Sequence, residues 1–168
     1  GLDTLINIQN IIGSGFADTL IGNSSNNTIT GGAGDDTIRG ISGKNTLYGG
    51  ADNDMFYGGT GEDLIDGGTG TDTINYSEVT TSGVIVDMGD STTYQTVYGS
   101  TQHQLVNIQN IIGTALDDTF YSNFSVSNRF EGAATGVTQT GTKGDLLDYS
   151  KMTVNNISQD YVDVDLST

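Results

Sequence analysis

From Gly13 to Asn75 an apolar side chain returns at every ninth place: Leu20, Ile29, Ile38, Leu47, Phe56, Ile65 and Ile74. A glycine opens each of these seven nonapeptides, and Asp or Asn holds the sixth place, at Asp18, Asn27, Asp36, Asn45, Asp54, Asp63 and Asp72. The glycines permit positive φ, so each unit divides into a six-residue turn and a three-residue strand whose middle residue points inward. Beyond the repeats, Val84, Val86 and Met88 alternate with Ile85 and Asp87, and Val162, Val164 and Leu166 alternate with Asp163 and Asp165. Period two with acids on one face predicts half-buried strands. The segment LINIQNII, residues 5–12, fits a short helix or a strand. It is brief and runs straight into the repeats, which favours a rung of the same stack. The pattern predicts an all-β chain.

Composition turns this pattern into a conditional fold. Apolar residues make up 34% of the chain, Gly supplies 25 of 168 residues and the net charge is −16. Such a balance normally leaves a chain disordered. A disordered tract has no reason to repeat an apolar residue at every ninth place, so the expected behaviour is order that depends on a cation. The same charge argues against nucleic acid or an anionic membrane as partner, since only five basic residues are present and they do not cluster. There is no cysteine, and no stretch is long and apolar enough to span a bilayer. The opening residues GLDTLINIQN lack the basic region of a signal peptide.

A longer period lies above the first. LINIQNIIG (5–13) recurs as LVNIQNIIG (105–113), DTINYS (72–77) as DLLDYS (145–150), and SGVIVDMG (82–89) as DYVDVDLS near the C-terminus. Three echoes in one order suggest a segment of a longer tandem array. The second copy has decayed: GTALDDTFY (113–121) still fits the nonapeptide, whereas the following residues lose its glycines and aspartates. A decayed repeat suits the end of a stack, which it closes rather than extends. The expected layout is one domain over 1–168: an opening rung at 1–12, seven regular repeats at 13–75, a strand-containing connection at 76–112 and a degenerate capping module at 113–168.

The rows GGAGDDTIR, GGADNDMFY and GGTGTDTIN resemble the calcium-binding nonapeptide of the RTX (repeats-in-toxin) family. The resemblance is strong over Gly13–Asn75 and weak over Gly113–Ser150. It implies a parallel β-roll, a right-handed β-solenoid with two nonapeptides per coil, here capped by degenerate repeats and short strands. In such a roll, odd and even repeats place their turns on opposite edges. Asp18, Asp36, Asp54 and Asp72 then form one column, stacked at roughly the 4.8 Å strand spacing. Adjacent carboxylates there would repel by about 3 to 4 kcal/mol at an effective dielectric near 20. A hard dication such as Ca2+, which takes six to eight oxygens, reverses that sign.

The family pattern draws each site from two turns on one edge. The first gives the carbonyls of its second and fourth residues and the sixth-place carboxylate. The next gives the carbonyls of its first and third residues and its own carboxylate. Carried over, one site uses Gly32, Gly34, Asp36, Gly49, Ala51 and Asp54, and the next uses Gly50, Asp52, Asp54, Gly67, Thr69 and Asp72. Asp52 stands where the family has glycine. A further odd-edge site would use Ser14, Phe16, Asp18, Gly31, Ala33 and Asp36, with Phe16 in a glycine place. On the even edge, Ile41, Gly43, Asn45, Gly58, Thr60 and Asp63 would supply one carboxylate, and the pair Asn27 and Asn45 none. The odd edge is therefore expected to be metal-bound and the even edge partly metal-free, with stacked Asn side chains able to form a ladder.

Other chemistry is sparse. His103, the only histidine, has no acid-rich constellation beside it in sequence and reads as a surface residue. The eight tyrosines read as strand decoration ahead of a sugar-binding platform. No phosphate loop with its lysine and no nucleophile–base–acid set is present, so an enzyme is not expected. The resemblance implies a module of a large secreted or cell-surface bacterial protein, an adhesin or a toxin, exported by type I secretion and folded by calcium outside the cell. Its partners would be calcium and neighbouring modules of its own chain, with a cell-surface glycan reached only through the parent. The rival is a polysaccharide-binding accessory module of a secreted enzyme.

Overall fold

The computed structural model describes residues 8–93, 95–121, 129–131 and 146–148. Within them the chain is an all-β parallel roll. One sheet stacks β1 (Asn10–Ile12), β3 (Thr28–Ala33), β5 (Thr46–Ala51), β7 (Glu62–Thr69), β11 (Thr101–Val106) and β10 (Gln95–Tyr98) in that order. The opposite sheet runs β2 (Thr19–Ile21), β4 (Thr37–Arg39), β6 (Met55–Tyr57), β8 (Thr73–Asn75), β12 (Asn110–Ile112) and β14 (Arg129–Glu131). A third, of three strands, holds β9 (Ile85–Asp87), β13 (Thr119–Tyr121) and β15 (Leu146–Asp148).

Strand register follows the sequence period. Ile29, Leu47 and Ile65 stand opposite one another on the first sheet, and Leu20, Ile38, Phe56 and Ile74 on the second. These eighth-place side chains, Leu20 excepted, are fully buried, and each strand gives one of them to the centre. The core is a single file of side chains between two sheets. It cannot support itself in one repeat, because each inward residue finds its neighbours only on the rungs above and below. At the start of the described residues, β1 pairs parallel with β3, Ile11 opposite Ile29.

Residues 76–112 do more than connect two modules. After β8 the chain leaves the roll, forms β9 with Val84, Val86 and Met88 buried, and returns through the antiparallel hairpin β10–β11. Then β11 lies on β7 with Leu105 opposite Ile65, and β12 lies on β8 with Ile111 opposite Ile74. Residues 101–112 thus rebuild one further rung, although no nonapeptide is present. The registers are offset by 40 residues on one sheet and 37 on the other, so three residues do the work of a six-residue turn. Asn107, with φ of 52°, makes that short corner possible.

The echoed peptide therefore lands on different sheets. Ile11 faces Ile29 on the first, while Ile111 faces Ile74 on the second. In the degenerate copy, Phe120 still fills an inward place, on the third sheet. The strand expected around Val162, Val164 and Leu166 and the echo DYVDVDLS lie outside the described residues.

A one-residue core makes each rung indispensable. Ile65→Ala should cost about 2–5 kcal/mol in calcium-saturated denaturant unfolding. Ile21→Ala, at a side chain 53% exposed, should change stability by less than about 0.5 kcal/mol.

Candidate metal centres

Five consecutive turns share one backbone conformation. Their second and fourth residues all have positive φ: Gly32 and Gly34, Ile41 and Gly43, Gly50 and Asp52, Gly59 and Gly61, Gly68 and Gly70. Two of these turns depart from glycine at those places, at Ile41 and at Asp52, yet the sign of φ is the same throughout. Ile41, at φ 72°, is a strained β-branched residue; Asp52, at 77°, is a residue type that tolerates the left-handed region better. A backbone held there against side-chain preference marks a turn whose shape is needed.

Each turn is locked to the next by its sixth residue. The Asp18 N–H donates to Asp36 Oδ1 at 2.8 Å, Asp36 N–H to Asp54 Oδ1 at 2.9 Å, and Asp54 N–H to Asp72 Oδ1 at 2.8 Å. The column ends where Asp72 N–H donates to Gln109 Oε1 at 2.7 Å. On the even edge Asn27 N–H donates to Asn45 Oδ1 and Asn45 N–H to Asp63 Oδ1. One oxygen of every sixth-place side chain is thus spent on structure.

The other oxygen separates the turns into two kinds. In Asp36, Asp54, Asp63 and Asp72 the Oδ2 atom is buried and accepts no hydrogen bond. The space beside it belongs to backbone. A Cβ on Gly31 would collide with Asp36 Oδ2 and stand 2.7 Å from the Gly49 carbonyl oxygen, and a Cβ on Gly49 would meet Asp54 Oδ2 and the Gly67 carbonyl in the same way. A carboxylate oxygen left unpaired next to carbonyls of the following turn is the donor set of a hard cation. Among the described residues no three His, Cys, Asp or Glu side chains gather into a metal cluster, so carbonyls must complete any shell.

Electrostatics agree. Burial, first, and then the Asp72 and Asp36 charges push the Asp54 carboxyl up to about 6, against a countering hydrogen bond from Asp36 N–H. Burial also raises Asp36 and Asp72 above the ordinary carboxylate range. An ionised column in a metal-free roll is an unfavourable state, and an ion in contact with it supplies the positive charge that makes ionisation favourable.

The remaining turns satisfy themselves. Ser14 donates its N–H to Asp18 Oδ2 at 2.6 Å and its hydroxyl to the same atom at 2.9 Å. Asn23 N–H donates to Asn27 Oδ1, and Thr114 N–H to Asp118 Oδ2. Ser14, Asn23 and Thr114 all replace the second glycine, and their side chains close the turn by accepting an N–H two residues on. The structure thus gives the Asp18 carboxylate partners of its own, while Gly31 and Ala33 stand on the turn above it. The sequence signal was available: a hydroxyl or amide side chain in the second place.

Gly32, Gly50 and Gly68 align across three rungs, as do Ala33, Ala51 and Thr69, so the odd-edge residues named from sequence come together. On the even edge Ser42 bridges Thr60, which brings the turns of Gly43–Asn45 and Gly58–Asp63 into register. Sequence reasoning missed two residues here. Asn107 offers its carbonyl beside Gly67 and Asp72 Oδ2. His103 was expected at the surface and is wholly buried, because β11 stacks it on Asp63. Nothing local in sequence signals that, since the 40-residue register exists only in the fold.

This architecture defines a parallel β-roll whose turns carry buried, unpaired carboxylate oxygens. Residues 12–43 and 39–74 match the family model of the RTX calcium-binding nonapeptide repeat, in four copies. No curated protein matches the chain. The module binds Ca2+.

Raised carboxyl pKa values stabilise the metal-free roll below the ordinary Asp value of 3.8, and that stabilisation is lost as pH rises through about 6. In chelator, acidification from about pH 7.5 to about pH 5 should therefore recover part of the β circular-dichroism signal. In calcium the same change should raise the metal concentration needed to fold, because protons compete for Asp54. Asp54→Ala should raise the calcium midpoint of folding several-fold, whereas Asn27→Ala, in a self-closed turn, should shift it far less.

Proposed function

We propose that this chain is a calcium-folded structural module of a large extracellular bacterial protein, an adhesin or a toxin. Its ions are held on the odd edge by Gly32, Gly34, Asp36, Gly49, Ala51 and Asp54, and by Gly50, Asp52, Asp54, Gly67, Thr69 and Asp72. The observation that carries this reading is the row of buried, unpaired Oδ2 atoms on Asp36, Asp54 and Asp72 in a roll whose core is one residue thick. Without cations the column repels and the single-file core cannot compensate. The chain therefore stays unfolded where calcium is scarce, inside the cell, which suits export through a narrow channel. It folds where calcium is abundant, on the cell surface or in the medium, and there extends its parent. The hundred-residue echo supports neighbouring modules of the same kind as its covalent partners.

One feature of the surface favours a second role, polysaccharide binding. Arg39, Tyr57 and Asn75 lie in one ninth-place column on the outer face of the second sheet, with the Arg39 guanidinium 4.3 Å from the Tyr57 ring centre. They floor a cleft of about 310 Å3 that Glu78 and Tyr98 help to wall. An aromatic face beside hydrogen-bonding groups suits a sugar ring.

The deciding experiment is circular dichroism of the chain with calcium, with chelator and with magnesium. Calcium alone should give the full β signal, and magnesium should substitute poorly, because it demands a tighter octahedral shell and dehydrates reluctantly. A full signal in chelator at neutral pH would defeat the proposal.

A further inference from the structure

The sixth turn, Gly58–Asp63, has every feature of the ion-ready turns. Gly59 and Gly61 have positive φ, and Asp63 is fully buried with its Oδ1 spent on Asn45 N–H. By the pattern of the odd edge, an ion above it would draw on the Gly59 carbonyl, the Gly61 carbonyl and Asp63 Oδ2. All three of these oxygens face donors from one short piece of chain, the hairpin β10–β11.

The Tyr98 hydroxyl donates to the Gly59 carbonyl. The Gln102 N–H donates to the Gly61 carbonyl at 2.8 Å. His103 Nε2 lies 3.2 Å from Asp63 Oδ2, both side chains being completely buried. The second of these contacts departs from the rule of the other turns. There the fifth-place N–H of a turn donates to the fifth-place side chain of the turn below: Asn53 to Asp35, Thr71 to Asn53 and Lys44 to Asn26. In the sixth turn the corresponding side chain, Glu62, pairs with Lys44 instead.

The imidazole is aimed. Tyr76 Oη lies 2.9 Å from His103 Nδ1, and the two rings stack with centres 5.7 Å apart. With the Tyr76 hydroxyl donating to Nδ1, the ring proton sits on Nε2, the side that faces Asp63 Oδ2; neither of those two buried atoms has a hydrogen-bond partner, so their 3.2 Å ion-pair contact is the interaction each makes there. A Cβ on Gly58 would stand 2.7 Å from His103 Nε2, whereas on the odd edge the same virtual atom on Gly31 meets the carbonyl of the next turn. The imidazole fills the space that the next turn's carbonyl fills elsewhere.

We propose that Tyr98, Gln102 and His103 form an internal substitute for calcium, three N–H and O–H groups that occupy the coordination positions of the ion above Asp63 and dock the 101–112 rung on the even edge without metal. The inference rests on the assignment of second, fourth and sixth residues as the calcium donors. It assigns His103 as the residue that sets where calcium binding stops on this edge.

Crystals of the parent chain grown in calcium, with ions located by anomalous scattering, test it directly. Ions between Asp36, Asp54 and Asp72 with none within coordination distance of Asp63 Oδ2 on the hairpin side are expected. An ion between Asp63 and a displaced His103 would overturn the inference while leaving the calcium reading intact. An odd edge without ions would instead defeat the calcium-ligand assignment on which it rests. His103→Asp restores a sixth-place carboxylate, and with Tyr98→Phe it frees both Asp63 and the Gly59 carbonyl. Titration calorimetry of that double variant should show one more bound calcium per chain. An unchanged stoichiometry in a folded variant would also overturn the proposal, and if the variant fails to fold, the ion positions in the parent decide.

Discussion

Carboxylates stacked at the strand spacing inside a thin roll repel one another, and the repulsion is not diluted by water, because Asp36, Asp54 and Asp72 are almost fully buried. The rest of the architecture answers to that constraint. One oxygen of each aspartate is tied to the N–H of the turn below, which fixes the side chain and leaves the other oxygen directed at carbonyls. The left-handed residues at the second and fourth places shape the turn that presents those carbonyls. A core of one apolar residue per strand is enough to align the rungs and too small to hold charges together by itself.

The ends of the stack meet the constraint differently. The first two turns and the turn at Gly113–Asp118 close on themselves through Ser14, Asn23 and Thr114, whose N–H groups take the oxygen that would otherwise be left for an ion. At the far end of the odd edge, Gln109, a neutral side chain, accepts the last N–H of the aspartate column. The charge ladder is bounded by groups that need no cation.

Much of this was legible in the chain. The nine-residue period gave the turns, the inward residues from Ile29 to Ile74 and the two columns, because in a solenoid a fixed sequence spacing is a fixed position in space. The rung at residues 101–112 was not legible. Leu105 and Ile111 reach their places through registers of 40 and 37 residues, which follow from a twenty-five-residue excursion and a three-residue corner and not from any repeat. His103 was misjudged for the same reason: its partner Asp63 is far away in sequence, and burial of an imidazole is set by what stacks on it. The self-closing turns could have been read, had the second-place hydroxyl and amide side chains been weighed as hydrogen-bonding groups and not only as lost glycines.

The peptide N-I-Q-N-I-I-G enters the first sheet at Ile11 and the second at Ile111. One hundred residues is not a whole number of eighteen-residue coils, and the excursion at 76–100 does not restore the phase. Each passage through such a module leaves the roll half a coil out of step with where it began. In a tandem array the faces of the roll would then alternate from one module to the next, so that any feature of the second sheet's outer surface recurs on the same side only at every other module. The structural repeat of the filament would be twice the repeat of its sequence.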